Sequence, residues 1–171
     1  MSAPMSAHRL RVAHLNPNAD NPFDLAPDAD QRAALARELD LLDLPALRMT
    51  GAIRAEGKDD WRLTAHLAAR VVQPCVVTLA PVETAIEDEV RILYSPHAPA
   101  PDEDEAEMPD DETEPLGTTI DLAAVMAEAL SLALPLYPRA PDATFDEGEA
   151  APDPDRQQPF AGLADLLKRD G

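Results

Sequence analysis

One cysteine, four histidines, a run of carboxylates and a set of alternating arginines are the residues of this chain that could do chemistry. Cys75 stands alone in "VVQPCVVTLAPV", between two prolines where an apolar strand pattern ends. A nucleophilic cysteine needs a lowered pKa and a general base within reach. His8, His14, His66 and His97 are the bases on offer, and none sits in a recognisable catalytic context. His66 falls on the polar side of a strand pattern, and His97 borders the acidic run. A closed zinc site wants four ligands, typically in two C-x2-C pairs. Position 78, where a paired thiol would fall, is Thr78. A lone cysteine is more often a small packed apolar residue, and Cys75 reads as that.

The carboxylate run at 102–114 lacks the D-x-[DN]-x-[DN]-G-x5-E spacing of a calcium loop. There is no phosphate-binding glycine loop and no G-x-S-x-G. No cofactor and no metal is expected, and nothing argues for an enzyme. The enzymatic alternative is an RNA-processing or RNA-modifying activity that holds Mg²⁺ on carboxylates. Carboxylates in a low-complexity segment lack the fixed geometry this requires.

Arg48, Arg54, Arg62 and Arg70 alternate with apolar residues, so they share the polar face of a hairpin and form a local basic patch. Solvated arginines on a sheet face are the plainer reading. Phe160, Leu163, Leu166 and Leu167 make the apolar side of a short C-terminal helix, which suits either the protein's own core or a groove on a partner. The candidate partner-binding residues are thus Arg48, Arg54, Arg62, Arg70, Phe160, Leu163 and Leu167.

Charge narrows the partner further. Of 171 residues, 33 are acidic and 14 are Lys or Arg, for a formal charge of −19. Residues 1–71 are nearly neutral, with nine bases and ten acids. From Ile92 to Pro138 there are eleven acids and no base, and from Ala140 to Asp155 six more acids and no base. Such segments repel phosphate backbones and anionic lipid, and attract basic proteins within about 8 Å at physiological salt. A basic footprint for direct, non-specific nucleic-acid binding is missing. No signal peptide or membrane span is read, and a single cysteine fits a reducing compartment. The expected location is the cytoplasm.

The elements that must position these residues follow from periodicity. "HRLRVAHL" (8–15) alternates and reads as a strand, and "NPNADNPFDLAP" as a loop, because Pro and Asn break regular structure. Over 28–42, Leu35, Leu39 and Leu42 share one helical face, with Asp28 and Gln31 placed for a capping box and Pro45 ending the pattern. "ALRMTGAIRAE" and "WRLTAHLAARVV" change to period 2 around the turn "GKDD", an antiparallel hairpin with one wet face. "VETAIEDEVRILY" alternates again, and Asp88 interrupts its apolar side as a bulge or bend would. The scaffold is a three-strand meander with a fourth strand available from 8–15. Residues 96–115 hold nine carboxylates and no periodicity, and cannot bury enough apolar surface to offset chain entropy. Asp121 caps an apolar helix running to Leu134, with Pro135 after it. A second acidic linker precedes the terminal helix.

The expected fold class is therefore α+β: an antiparallel sheet of three to five strands packed against two helices, with a long acidic disordered loop and a C-terminal helical tail. Residues 1–138 form a single α+β domain with an acidic flexible insert at 96–117. Residues 139–158 are an acidic linker, and 159–171 a short helix.

Taken together, "QPCVVTLAPVETAIEDEVRILYSP", an acidic insert, "IDLAAVMAEALSLALPLYPR" and a terminal "PFAGLADLLK" resemble the bacterial YceD family, the large ribosomal RNA subunit accumulation proteins. The resemblance covers roughly residues 60–171. It implies a role in accumulation of large-subunit ribosomal RNA, and a gene that neighbours one for a large-subunit ribosomal protein. Many members carry C-x-x-C at the strand end, where this chain has Cys75-Val76-Val77-Thr78, so Cys75 reads as the retained piece of a turn. With the acidic surface, the resemblance points to a non-enzymatic accessory factor for large-subunit biogenesis. Its expected partner is a basic ribosomal protein or a ribosome assembly factor, with large-subunit rRNA reached indirectly and no membrane involved.

Overall fold

A computed structural model describes residues 8–98 and 112–143. At its centre is the hairpin of β3 (Asp43–Glu56) and β4 (Asp60–Pro74). Gly57 takes a φ of 63° at the first turn position, a conformation glycine adopts without steric cost. Leu47, Met49 and Ile53 on β3 and Trp61, Leu63, Ala65, Leu67 and Val71 on β4 are all buried, so the period-2 pattern and the observed inward face coincide. Fully burying a Leu, Ile or Met is worth about 1.5–3 kcal/mol; Met49, Ile53, Leu63 and Leu67 are completely enclosed.

Gly51 shares this inward face, directly opposite Ala65. A Cβ built on it would stand 2.3 Å from the Thr64 carbonyl oxygen and 2.7 Å from the Ala65 Cα and Cβ. Only glycine lets the two backbones come so close here.

β5 (Pro81–Ser95) completes the meander, antiparallel to β4 from Pro74 opposite Pro81 to Trp61 opposite Tyr94. The pairing runs unbroken past Asp88, which stands opposite Leu67. The expected bulge is absent: Asp88 keeps its place in the alternation and is exposed.

Two further strands make the main sheet five-stranded, in the order β2-β3-β4-β5-β6. β2 (Asn21–Leu25) lies within the segment expected to be a loop. Leu25 is buried and Phe23 half-buried, so alternation was present but hidden by Asn and Pro. Pro22 is tolerated because β2 is an edge strand, where a missing N–H costs no ladder bond on the open side. Asn21 completes the join, its Nδ2 donating to the Ile53 carbonyl at 3.0 Å. β6 (Glu112–Pro115) pairs parallel with Ile92–Ser95, so this end of the expected flexible insert is a strand. The rest of the insert, 99–111, and the linker and terminal helix from 144 onward lie outside the described residues.

The strand expected at 8–15 is shorter and sits elsewhere. β1 (Arg9–Arg11) pairs antiparallel with β7 (Thr119–Asp121) in a separate two-stranded ribbon, and Val12–His14 is a 3-10 turn. The ribbon is short because its second strand ends where Asp121 caps the next helix. There α2 (Leu122–Ala133) begins, with Asp121 Oδ1 accepting from the amides of Ala123 and Ala124 at 3.2 Å. Leu122, Val125, Met126 and Leu130 bury its inner side.

α1 (Ala29–Glu38) starts as expected, with a complete capping box between Asp28 and Gln31. It stops earlier than expected. Asp40 takes a φ of 54°, and the Leu41 amide reaches back to the Ala36 carbonyl at 2.8 Å, a Schellman ending with aspartate at the left-handed position. Leu42 is thereby carried off the helical face and is 56% exposed. Pro45 lies inside β3, near the irregular register between Asp43 and Ala46. The chain is an α+β protein, and its described residues place two α-helices on a largely antiparallel sheet.

Candidate functional site

Cys75 occupies the turn between β4 and β5. Its amide donates to the Ala80 carbonyl at 2.8 Å and its carbonyl accepts from Leu79 at 2.9 Å, which closes a tight loop. Inside that loop the sulfur is the acceptor. The amides of Val77, Thr78 and Ala140 lie 3.4, 3.5 and 3.4 Å from Sγ. The Val76 amide also donates to the Pro138 carbonyl at 3.0 Å. The turn thus holds the segment that leaves α2 through sulfur and backbone bonds. Donors converging on the sulfur favour its thiolate form. The Thr78 hydroxyl acts most strongly, then the amides of Ala140, Thr78 and Val77; against the opposing effect of burial they bring the Cys75 pKa from 9.0 down to about 6. The side chain is fully buried, so this sulfur organises a turn and is closed to a substrate. Among the described residues no group of three or more His, Cys, Asp or Glu side chains is placed to hold a metal ion.

The four arginines share the wet face, as period-2 registration of β3 and β4 requires. They fall into two pairs. Arg54 stands directly opposite Arg62. Arg48 and Arg70 stand some six to eight residues further along the sheet, where they line an open depression of about 460 Å³ with Arg32 and Glu87. Each of the four faces a carboxylate. Arg48 holds Asp24 with two bonds of 2.9 and 2.5 Å, Arg54 meets Asp20 at 2.6 Å, Arg62 meets Glu56 at 2.7 Å, and Arg70 lies 3.6 Å from Glu83. The Arg48 hydrogen bond holds the Asp24 carboxyl below its usual pKa and raises that of Arg48 in return. Exposed ion pairs of this kind are weak, so the guanidinium groups can exchange partners, but the face they make is mixed in sign and not a basic patch. His66, opposite Glu89, is exposed on the same face.

A further ion pair works at the base of α2. Burial opposes the charged form of Asp121, yet Arg9 at 2.7 Å and the amides of Ala124 and Ala123 outweigh it and keep the carboxyl below its ordinary pKa. Phe160, Leu163 and Leu167 lie outside the described residues.

What the sequence reading missed is apolar. Val76, Leu79, Leu136 and Tyr137 are exposed around the Cys75 turn. The available signal was a run of large apolar residues in proline-bounded segments, "PCVVTLAP" and "LPLYP", where neither helix nor strand could bury them.

No described helix is long and apolar enough to cross a membrane. Comparison with curated proteins and with solved structures finds no match. The family model for the large ribosomal RNA subunit accumulation protein YceD matches residues 63–167, from within β4 through the Cys75 turn and α2 and onward. That match spans more than half of the chain and takes in the quoted segments up to Leu167, and the chain belongs to the YceD family.

Proposed function

We propose that this protein is a non-enzymatic accessory factor for large ribosomal subunit biogenesis, acting in the cytoplasm through contact with a basic ribosomal protein or assembly factor. Family membership supports the link to large-subunit rRNA accumulation. The observation that carries the mode of action is charge segregation. Two base-free stretches hold eleven and six acids, while the body's wet-face arginines are already paired with carboxylates. A surface of this kind repels RNA and steers toward cations. The acidic stretches shield a basic ribosomal protein before it meets rRNA, or imitate the RNA that partner expects. The rRNA is reached through the partner. Arg48 and Arg70 around their shared depression, with Arg54 and Arg62 further along, supply a secondary contact, and Phe160, Leu163 and Leu167 supply the apolar side of a docking segment.

Crosslinking and mass spectrometry from cells tests this reading. Basic large-subunit proteins or assembly factors should dominate the crosslinks to residues 92–155. Crosslinks to RNA alone, with no basic protein, would contradict it.

A further inference from the structure

Four of the large apolar side chains exposed among the described residues, Val76, Leu79, Leu136 and Tyr137, ride on two segments bonded together at the β4–β5 turn. The Val76 amide donates to the Pro138 carbonyl at 3.0 Å, Gln73 Nε2 to the Pro135 carbonyl at 3.3 Å, and the Ala140 amide to Cys75 Sγ at 3.4 Å. Single exposed apolar residues are ordinary, but a group on joined segments marks a contact surface. Leu79 is 76% exposed and holds a φ of 61°, a conformation that costs any residue with a Cβ and that glycine adopts freely. The described fold gives this side chain no burial to offset that cost.

Where the chain goes next names the occupant. Ala143, the last residue described, donates its amide to the Ala140 carbonyl at 3.0 Å. The chain therefore leaves the body three residues after the amide that sits on the Cys75 sulfur. Fifteen residues, 144–158, separate this exit from Pro159. They can span at most about 50 Å, so a surface beside the exit is within reach. Beyond them Phe160, Leu163, Ala164 and Leu167 fall at i, i+3, i+4 and i+7, the spacing of an apolar helix face that fills a groove.

We infer that residues 160–167 dock on the β4–β5 end of the same molecule, with Val76, Leu79, Leu136 and Tyr137 as the contact. The described charges at this end balance: Arg139 lies beside the contact, Asp142 at the exit, and Glu83 faces Arg70 at 3.6 Å. A surface without net charge selects by apolar fit, and residues 160–167 carry a single charge, Asp165. A second copy of this chain brings −19 of its own and is repelled. Any other protein competes with a tethered segment presented at an effective concentration in the millimolar range. The family match, 63–167, takes in both the surface and the segment. A partner that takes Phe160, Leu163 and Leu167 must therefore first lift them from this surface, whichever protein it is.

The test compares full-length wild type with full-length Leu163→Ser/Leu167→Ser by amide NMR, each at two concentrations about tenfold apart. The amides of Val76, Leu79, Leu136, Tyr137 and Ala140 should move between the two proteins, and by the same amount at both concentrations. A peptide of residues 159–171, titrated in trans against those amides, should bind the doubly substituted chain at least about tenfold more tightly than the wild type, whose own segment fills the site. Adding Leu79→Gly to the doubly substituted chain should weaken that peptide at least about fivefold while keeping or raising the melting temperature. A merely structural leucine would give no such split. Unmoved amides in Leu163→Ser/Leu167→Ser would leave the surface to another protein and overturn the inference. Differences that vanish on dilution would assign it to a second copy and overturn it equally. So would equal peptide affinity for the two chains, or peptide binding indifferent to Leu79→Gly.

Discussion

The Cys75 sulfur accepts the Ala140 amide at 3.4 Å across 65 residues of sequence, tying the exit of α2 to the β4–β5 turn. Two more amides and the Thr78 hydroxyl converge on the same atom and lower its pKa to about 6. A group whose folded pKa is depressed contributes stability above its unfolded pKa and loses it as pH falls through the folded value. The contribution from Cys75 should therefore be full near pH 9 and fade toward pH 6. Relative to Cys75→Ala, the melting-temperature advantage of the wild type should grow as pH rises from 6 to 9. Thiolate absorbance at 240 nm, which this single cysteine makes unambiguous, should titrate with a midpoint near 6. A midpoint at or above the ordinary thiol value of about 8.5 would refute the assignment.

Gly51 tests the close approach of β3 and β4. An added methyl has Thr64 and Ala65 backbone atoms in its way, not the end of a flexible side chain. Gly51→Ala should destabilise by about 2–3 kcal/mol in urea unfolding. A loss below about 0.5 kcal/mol would show that the strands separate easily.

Asp121 joins three elements, because it caps α2, ends β7 and pairs with Arg9 of β1. Asp121→Ala should cost about 1–2 kcal/mol. Arg9→Gln, which removes only a largely exposed partner, should cost less than about 1 kcal/mol. Equal losses from the two would shift the weight from the cap to the ion pair.

Each wet-face arginine faces a carboxylate, and the described residues hold no metal cluster. Purified protein with large-subunit precursor RNA and Mg²⁺ should leave the RNA intact. Changing Arg48, Arg54, Arg62 and Arg70 to Gln together should alter filter binding of that RNA by less than about threefold. Cleavage lost on neutralising particular ordered acids would establish an enzyme in place of a binding factor.

Most of the scaffold was readable because its signals were periodic. Met49, Ile53, Leu63 and Leu67 announced the hairpin by alternation, and Asp28 and Asp121 announced helix starts by capping chemistry. The misses share a cause: tertiary context decided them. Pro22 and Asn21 look like breakers until an edge strand uses them. Asp40 ends α1 in a role usually given to glycine. Glu112–Pro115 has no pattern of its own and becomes a strand through β5. The sulfur-centred clamp was hidden for a similar reason, since Ala140 carries no side-chain signal and contributes only its amide. The arginines were placed on the right face, but Asp20 and Asp24, which temper their charge, come from a segment read as a loop.

The most direct test of the central claim is retention of purified basic large-subunit proteins by the immobilised full-length chain at about 50 mM and about 500 mM salt. At least one should be held at low salt and released at high salt, with replacement of the acids of 102–114 and 142–155 by Asn or Gln abolishing retention. Failure to hold any of them at low salt, or retention indifferent to both salt and those acids, would contradict the account.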